Sequence, residues 1–158
     1  MNKDFVYKRR LLKLADYGDT IKPARFNFSQ FAGSDWKGKP DLSCGTAACL
    51  FGHSSTIPSF RRLGLHMYRI YGSSHPWVGL KGGPTGYAGT VEAGRKIFDL
   101  SIEEFEFLFI PSDHLSDDSS LSLYGQEDKF GFTSLHSSST AKQVSAQIRR
   151  FVEWKYGK

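Results

Sequence analysis

The residue types and spacings best suited to chemistry lie between Asp41 and His53, in the run DLSCGTAACLFGH. Ser43 is a favoured N-cap residue, so the pattern predicts a helix opening there with Cys44 in its first turn. A thiol at that place feels the positive end of the helix dipole and the free N–H groups of the first turn, which lowers its pKa and makes it a nucleophile. Such a nucleophile needs a base. The candidate is His75, which opens the segment HPWVGL, with Asp99 or Asp113 to orient it. The same helix offers a second chemistry, because Cys49 and His53 stand one helical turn apart and with Cys44 supply three ligands of a zinc site. His66, His75 or His114 is then the candidate fourth. The tight C-x-x-C pair of structural zinc sites is missing, so no cofactor is expected and zinc stays open as the alternative. A third reading assigns no chemistry to the segment. Both cysteines are then small core residues, and Gly45, Thr46, Ala47, Ala48 and Gly52 let the helix approach its neighbours closely. The third reading is favoured.

Two basic segments suggest binding instead. In the first predicted helix Tyr7, Leu11 and Leu14 recur on one face, while Lys8, Arg9, Arg10 and Lys13 take the other positions. Near the other end, Arg149, Arg150, Trp154 and Lys155 mix cations with an aromatic ring. Surfaces of that kind bind phosphates and stack bases, although cations on the outer faces of amphipathic helices also serve solubility alone. The net charge of +5 is unevenly spread: residues 99–138 carry one Lys/Arg against nine acids, between basic blocks on either side. An acidic block inside a basic chain argues against general nucleic-acid binding and for distinct complementary surfaces.

The segments RRLLKLADYGDTIKPARFNFSQF, CGTAACLFGH and FDLSIEEFEFLFIP, in that order, resemble a family of small uncharacterised proteins of bacteria and their phages. In that family a basic Leu-rich helix, an aromatic segment, a CGTxAC-x-x-G-[HW] helix and a helix ending in LF-x-P follow one another. The resemblance covers most of the chain apart from its Ser/Asp-rich part. It implies a fold and a phage or bacterial setting but no activity. Either His or Trp stands in the family at the position of His53, which implies that His53 is not an essential ligand. A local resemblance to papain-like cysteine peptidases covers Asp41 to Leu50 and His75 to Val78. It implies a Cys44-dependent hydrolase or transferase with His75 as general base. The oxyanion-hole Gln of those enzymes has no counterpart just before Cys44, where Asp41, Leu42 and Ser43 stand.

The elements that must position these residues are mostly helices. Residues 4–17 form the first, ended by Gly18. Residues 19–42, with Pro23, Gly33, Gly38 and Pro40 around Phe26, Phe28, Phe31 and Trp36, form an irregular stretch pinned by aromatic anchors. Pro58 stops or kinks the Cys-containing helix, and SFRRLGL forms a short further one. Residues 65–72 and 75–80 make a hairpin around Gly72-Ser73-Ser74. KGGPTGYAG is a turn that lacks the Lys-Ser/Thr of a phosphate-binding loop. Residues 90–98 are helical, and Ser101 with Glu104 makes a capping box for a helix ending before Pro111. This pair has the spacing of a helix-turn-helix, but Glu103, Glu104 and Glu106 would be repelled by phosphate, so Phe98, Phe105, Leu108 and Phe109 are read as core. Residues 112–138 read as a long, flexible Ser/Asp-rich surface loop. Thr140 with Gln143 caps a last helix whose stripe is Val144, Ile148, Phe151 and Val152.

The expected fold is therefore a single α+β domain over residues 1–158, mainly helical, with about five helices and one small β-hairpin. Lys13 and Asp16 break the apolar run after the basic start, so no secretory signal is indicated, and no run reaches the roughly twenty apolar residues of a membrane span. Two cysteines five apart are not a secreted disulfide framework. A cytoplasmic location is expected, that of the host cell if the chain is phage-encoded. The function expected is a non-enzymatic binding protein, a phage-type accessory or inhibitor factor. A host protein is the foremost partner, nucleic acid and a homo-oligomer stay open, and no membrane partner is expected.

Overall fold

The computed structural model of the protein describes residues 3–29, 48–73, 76–114 and 129–157. Among the described residues the fold is mainly helical with one small antiparallel hairpin, as the pattern of the sequence required. Helix α1 spans Lys3–Gly18, and Leu11, Leu14, Ala15 and Gly18 are its buried stripe. Helices α2 (Leu50–Ser54) and α3 (Pro58–Arg61) are short. Strands β1 (Leu65–Tyr68) and β2 (Trp77–Leu80) pair with Leu65 opposite Leu80 and Tyr68 opposite Trp77. Helices α4 (Gly86–Phe98), α5 (Ile102–Phe109) and α6 (Ala141–Tyr156) complete the set.

Both predicted capping boxes are present. Ser101 Oγ accepts from the Glu104 N–H at 3.1 Å while Glu104 accepts from the Ser101 N–H at 2.8 Å. Thr140 and Gln143 make the same reciprocal pair at α6. Each box satisfies two N–H groups that a helix start otherwise leaves unpaired, which fixes where α5 and α6 begin.

Helix α5 shows what organises the core. Its sequence IEEFEFLF buries Phe105, Phe107, Leu108 and Phe109, apolar on more than one face, so it is enclosed from two sides. Phe105 and Phe109 meet Phe51 of α2 at centroid distances of 5.0 and 5.1 Å. Phe107 points the other way and stacks on Phe130 at 4.2 Å, in a cluster with Phe151 and Trp154 of α6. Helices α1 and α6 run antiparallel along one side. Arg149 reaches the C-terminal end of α1 at Asp16, and Tyr156 lies near Asp4 and Tyr7 at its start. They approach closely at Gly18, where an added Cβ would meet Ser145 Oγ at 2.2 Å.

Three expectations are corrected. The helix predicted from Ser43 begins only at Leu50, with Cys49 as its N-cap. The reason is a parallel bridge: the Ala48 N–H donates to the Arg25 carbonyl and the Asn27 N–H donates to the Ala48 carbonyl, both at 3.1 Å. Those backbone groups are thus committed to an extended pairing that a helix through Ala48 would break. Pro58 does not end a helix but opens α3 at its first turn, where its missing N–H costs nothing. The stretch 112–138 is not loop throughout, because Phe130 is buried and Phe132 packs on Phe107. Its part 115–128 lies outside the described residues, as do residues 30–47.

Candidate functional site

Helix α1 sorts its side chains by charge. Its acids Asp4 and Asp16 lie toward α6, beside Tyr156 and Arg149. Phe5, Arg9 and Lys13, spaced four apart, form a row on another face. That row and the neighbouring Val6 and Arg10 form one wall of a cleft of about 240 Å³, and Ser59, Phe60 and Leu63 form the other. Phe5 is 54% exposed and Leu63 42%, although both are large and apolar. The Arg9 guanidinium lies over the Phe5 ring at 5.6 Å. Arg9, Lys13, Arg61 and Arg62 form no ion pair among the described residues. The cleft therefore joins apolar side chains to the exposed Arg9 and Lys13, which have no ion-pair partner among the described residues.

Arg10 differs from its neighbours. Its guanidinium donates to the Ile97 carbonyl at 2.9 Å and lies over Tyr7, so it closes the C-terminal end of α4. Lys8 is half-buried, while Arg9 and Lys13 are exposed.

Three of the cations of α6, Arg149, Arg150 and Lys155, meet groups of the protein itself, while Lys142 in its first turn is exposed. Arg149 donates to Asp16 at 2.9 Å and to Asp19 at 2.7 Å, and these two carboxylates raise its pKa. Arg150 lies 4.3 Å from the centre of the Phe132 ring. Lys155 donates to the Asp99 carbonyl at 2.6 Å and to Glu104 at 2.7 Å. Trp154 packs on Phe130 and Phe151.

Of the predicted catalytic set, Cys44 and His75 lie outside the described residues. Asp99 is the C-cap of α4 in the left-handed region (φ 56°), a conformation an Asp tolerates better than most residues. Its N–H donates to the Arg95 carbonyl at 2.9 Å. Of the predicted metal set, Cys49 is buried, and its sulfur accepts from the Gly52 N–H at 3.3 Å. Burial pushes its thiol up to about 12, despite the lowering effect of the surrounding N–H groups. It is a protonated cap at neutral pH.

His53 is also buried, and burial lowers its pKa. Its Nε2–H donates to the Arg25 carbonyl at 2.7 Å, since a carbonyl can only accept; the neutral ring then carries a lone pair on Nδ1, which is buried and has no hydrogen-bond partner among the described residues. Among the described residues no three His, Cys, Asp or Glu side chains converge as a metal site would require.

One constellation had no signal in the sequence pattern. His136 Nδ1 lies 3.1 Å from Ser138 Oγ, and its Nε2 lies 3.4 Å from Asp113 Oδ2. The order Ser, His, Asp is that of a hydrolase relay, but the geometry is that of a chain clamp. Asp113 accepts from the Ser137 N–H at 2.8 Å and from its hydroxyl at 2.5 Å, and the Ser112 N–H donates to the Leu135 carbonyl. The Ser137 bonds hold the Asp113 carboxyl below its usual range. All three side chains are exposed to water, although Ser138 lies at the edge of a cleft lined also by Ile21, Pro23 and Phe26. The wall formed by Ser59, Phe60 and Leu63 was likewise not foreseen as part of a site. Its only hint was RRLGL, which places an exposed Leu beside two arginines.

Comparison with known proteins matched the chain to no protein-family model, no curated protein and no solved structure.

Proposed function

We propose that this chain is a non-enzymatic binding protein, a phage-type accessory or inhibitor factor that works in the cytoplasm of a host cell by occupying a host macromolecule. The observation that carries the reading is the cleft between α1 and α3, where the apolar Phe5 and Leu63 stay exposed beside Arg9 and Lys13, which form no ion pair among the described residues. Apolar area held in water is unfavourable by roughly 25 cal/mol per Å², and unpaired like charges repel. A partner that covers the first and neutralises the second relieves both.

The reading is tested by native mass spectrometry of the protein gently purified from the cells that encode it. The expected result is a retained partner mass that survives Cys44→Ala and is lost from the combined Lys8→Glu, Arg9→Glu and Lys13→Glu variant. Loss of biological activity in a folded Cys44→Ala chain would instead establish the cysteine-dependent enzyme.

A further inference from the structure

We infer that the occupant of the α1–α3 cleft is an acidic amphipathic helix of a partner protein, which seats apolar side chains between Phe5 and Leu63 and sets its carboxylates against Arg9, Lys13, Arg61 and Arg62. The inference rests on the binding reading above and names the chemistry of the ligand.

Shape is the first reason. The site is a concave cleft of about 240 Å³ between two helices, with Val6 and Phe60 in its lining. That volume takes one or two aliphatic or aromatic side chains, as an amphipathic helix presents them at i, i+3 or i+4 and i+7. Arrangement of the charges is the second. Phe5, Arg9 and Lys13 form one row along α1, so the cations lie along the rim rather than across the floor. Arg61 and Arg62 do not line the cleft, but both are exposed and immediately precede Leu63, which does. A helix with an apolar stripe and acidic flanks meets both features in register. The acids of α1 are not competitors, because Asp16 is taken by Arg149 and Asp4 lies toward Tyr156.

The other occupants fit less well. A nucleic acid would use the cations but leave the apolar floor uncovered, and the Phe5 ring it would stack on already carries the Arg9 guanidinium. A second copy of the chain docked face to face would set Arg9, Lys13, Arg61 and Arg62 against themselves. A bilayer surface takes up protruding apolar groups, whereas here they line a recess.

The test is fluorescence anisotropy on the full chain with a labelled helical peptide about eighteen residues long, carrying Leu and Phe at i, i+3 and i+7 and Glu elsewhere. A Lys-for-Glu version and an Ala-for-Leu/Phe version of the peptide serve as controls, beside a labelled single-stranded oligonucleotide and vesicles with an anionic lipid. The expected result is saturable binding of the acidic peptide alone. Binding falls at least about tenfold with Phe5→Ala plus Leu63→Ala, and again with Arg9→Glu plus Lys13→Glu. It also weakens as salt is raised. Both pairs of positions are surface-exposed, so their thermal midpoints stay close to that of the parent.

Three results would overturn the inference: no peptide binding, equal binding of the Lys version, or binding indifferent to both variant pairs. If the oligonucleotide or the vesicles bind through Arg9 and Lys13 instead, the helix ligand is wrong while the binding face stands. A concentration-dependent dimer in sedimentation velocity, abolished by Phe5→Ala, would assign the cleft to a second copy and discard the helix. If the partner retained in native mass spectrometry is insensitive to charge reversal on α1, the binding reading itself fails.

Discussion

Helices α1 and α6 are each sixteen residues long, amphipathic and basic, and as strings of residue types they invite the same interpretation. Their surroundings separate them. On α6, Arg149 is forked between two aspartates, Arg150 covers an aromatic ring, and Lys155 bonds to the end of α4 and to Glu104. On α1, Arg9 and Lys13 form no ion pair among the described residues and line a cleft with Phe5. The comparison teaches that a basic helix is an interaction surface only where the fold has left its cations without internal partners. On that ground the first helix is the one proposed here as the interaction surface, whereas Arg149, Arg150 and Lys155 of the last bind groups of the fold itself.

The sharpest way to break this comparison is to truncate one aromatic from each helix. Phe151 of α6 is fully buried, so Phe151→Ala is expected to lower folding stability by about 3–5 kcal/mol, whereas Phe5→Ala on α1 should stay within about 0.5 kcal/mol. Urea unfolding of both variants checks it, and comparable losses would place Phe5 in the core and remove the cleft as a site.

Next in size is Lys155→Met. The side chains of Lys155 and Glu104 are 18% and 11% exposed, and the substitution leaves the carboxylate without its cation. A loss of about 2 kcal/mol is expected, at the low side for breaking a buried pair because Glu104 keeps its bond to the Ser101 N–H. The double change Lys155→Met with Glu104→Gln should recover part of it in the same unfolding assay.

The linkage at His53 comes third. Its folded pKa lies below the ordinary histidine value of 6.5, so the unfolded chain takes up a proton first as the solution is acidified. Stability from the neutral ring is fully present above about pH 6.5 and is lost as pH falls from there toward the depressed folded value. His53→Gln, which keeps a side-chain N–H for the Arg25 carbonyl, should flatten that part of the pH dependence. An unaltered slope between about pH 7 and 5 would assign the acid sensitivity to other groups.

The smallest effects lie on the surface charges. Arg149→Ala is expected to cost under about 1 kcal/mol, because both aspartates remain in water, and the loss should shrink in high salt. Arg9→Glu with Lys13→Glu should leave stability within about 0.5 kcal/mol while removing partner binding. Stability changes in the reverse order would make α1 the framework and α6 the interaction surface.

How legible was all this in the sequence? Features that depend on neighbours along the chain were readable. The Ser101/Glu104 and Thr140/Gln143 boxes, the buried stripe of α6 and the hairpin of residues 65–80 all follow from residue type at fixed short spacing. Within the candidate site, Arg9, Arg10 and Lys13 were named from the sequence. Their partition into a free rim and a capping Arg10 was not, because the Ile97 carbonyl that takes Arg10 lies 87 residues away.

The start of α2 shows the same limit inside one segment. Ser43 is a good N-cap by type, and local propensity favoured a helix from there. The chain instead pairs Ala48 with Phe26, and Cys49 takes the cap. Propensity differences of a few tenths of a kcal/mol per residue are outweighed by a tertiary pairing that commits two backbone hydrogen bonds. By itself the sequence determined that the fold is mainly helical, where α5 and α6 start and which of their faces are apolar, since those rest on contacts within four residues. Only the tertiary structure decided which cations are neutralised and which apolar side chains stay in water, because each depends on a group brought from a distant part of the chain.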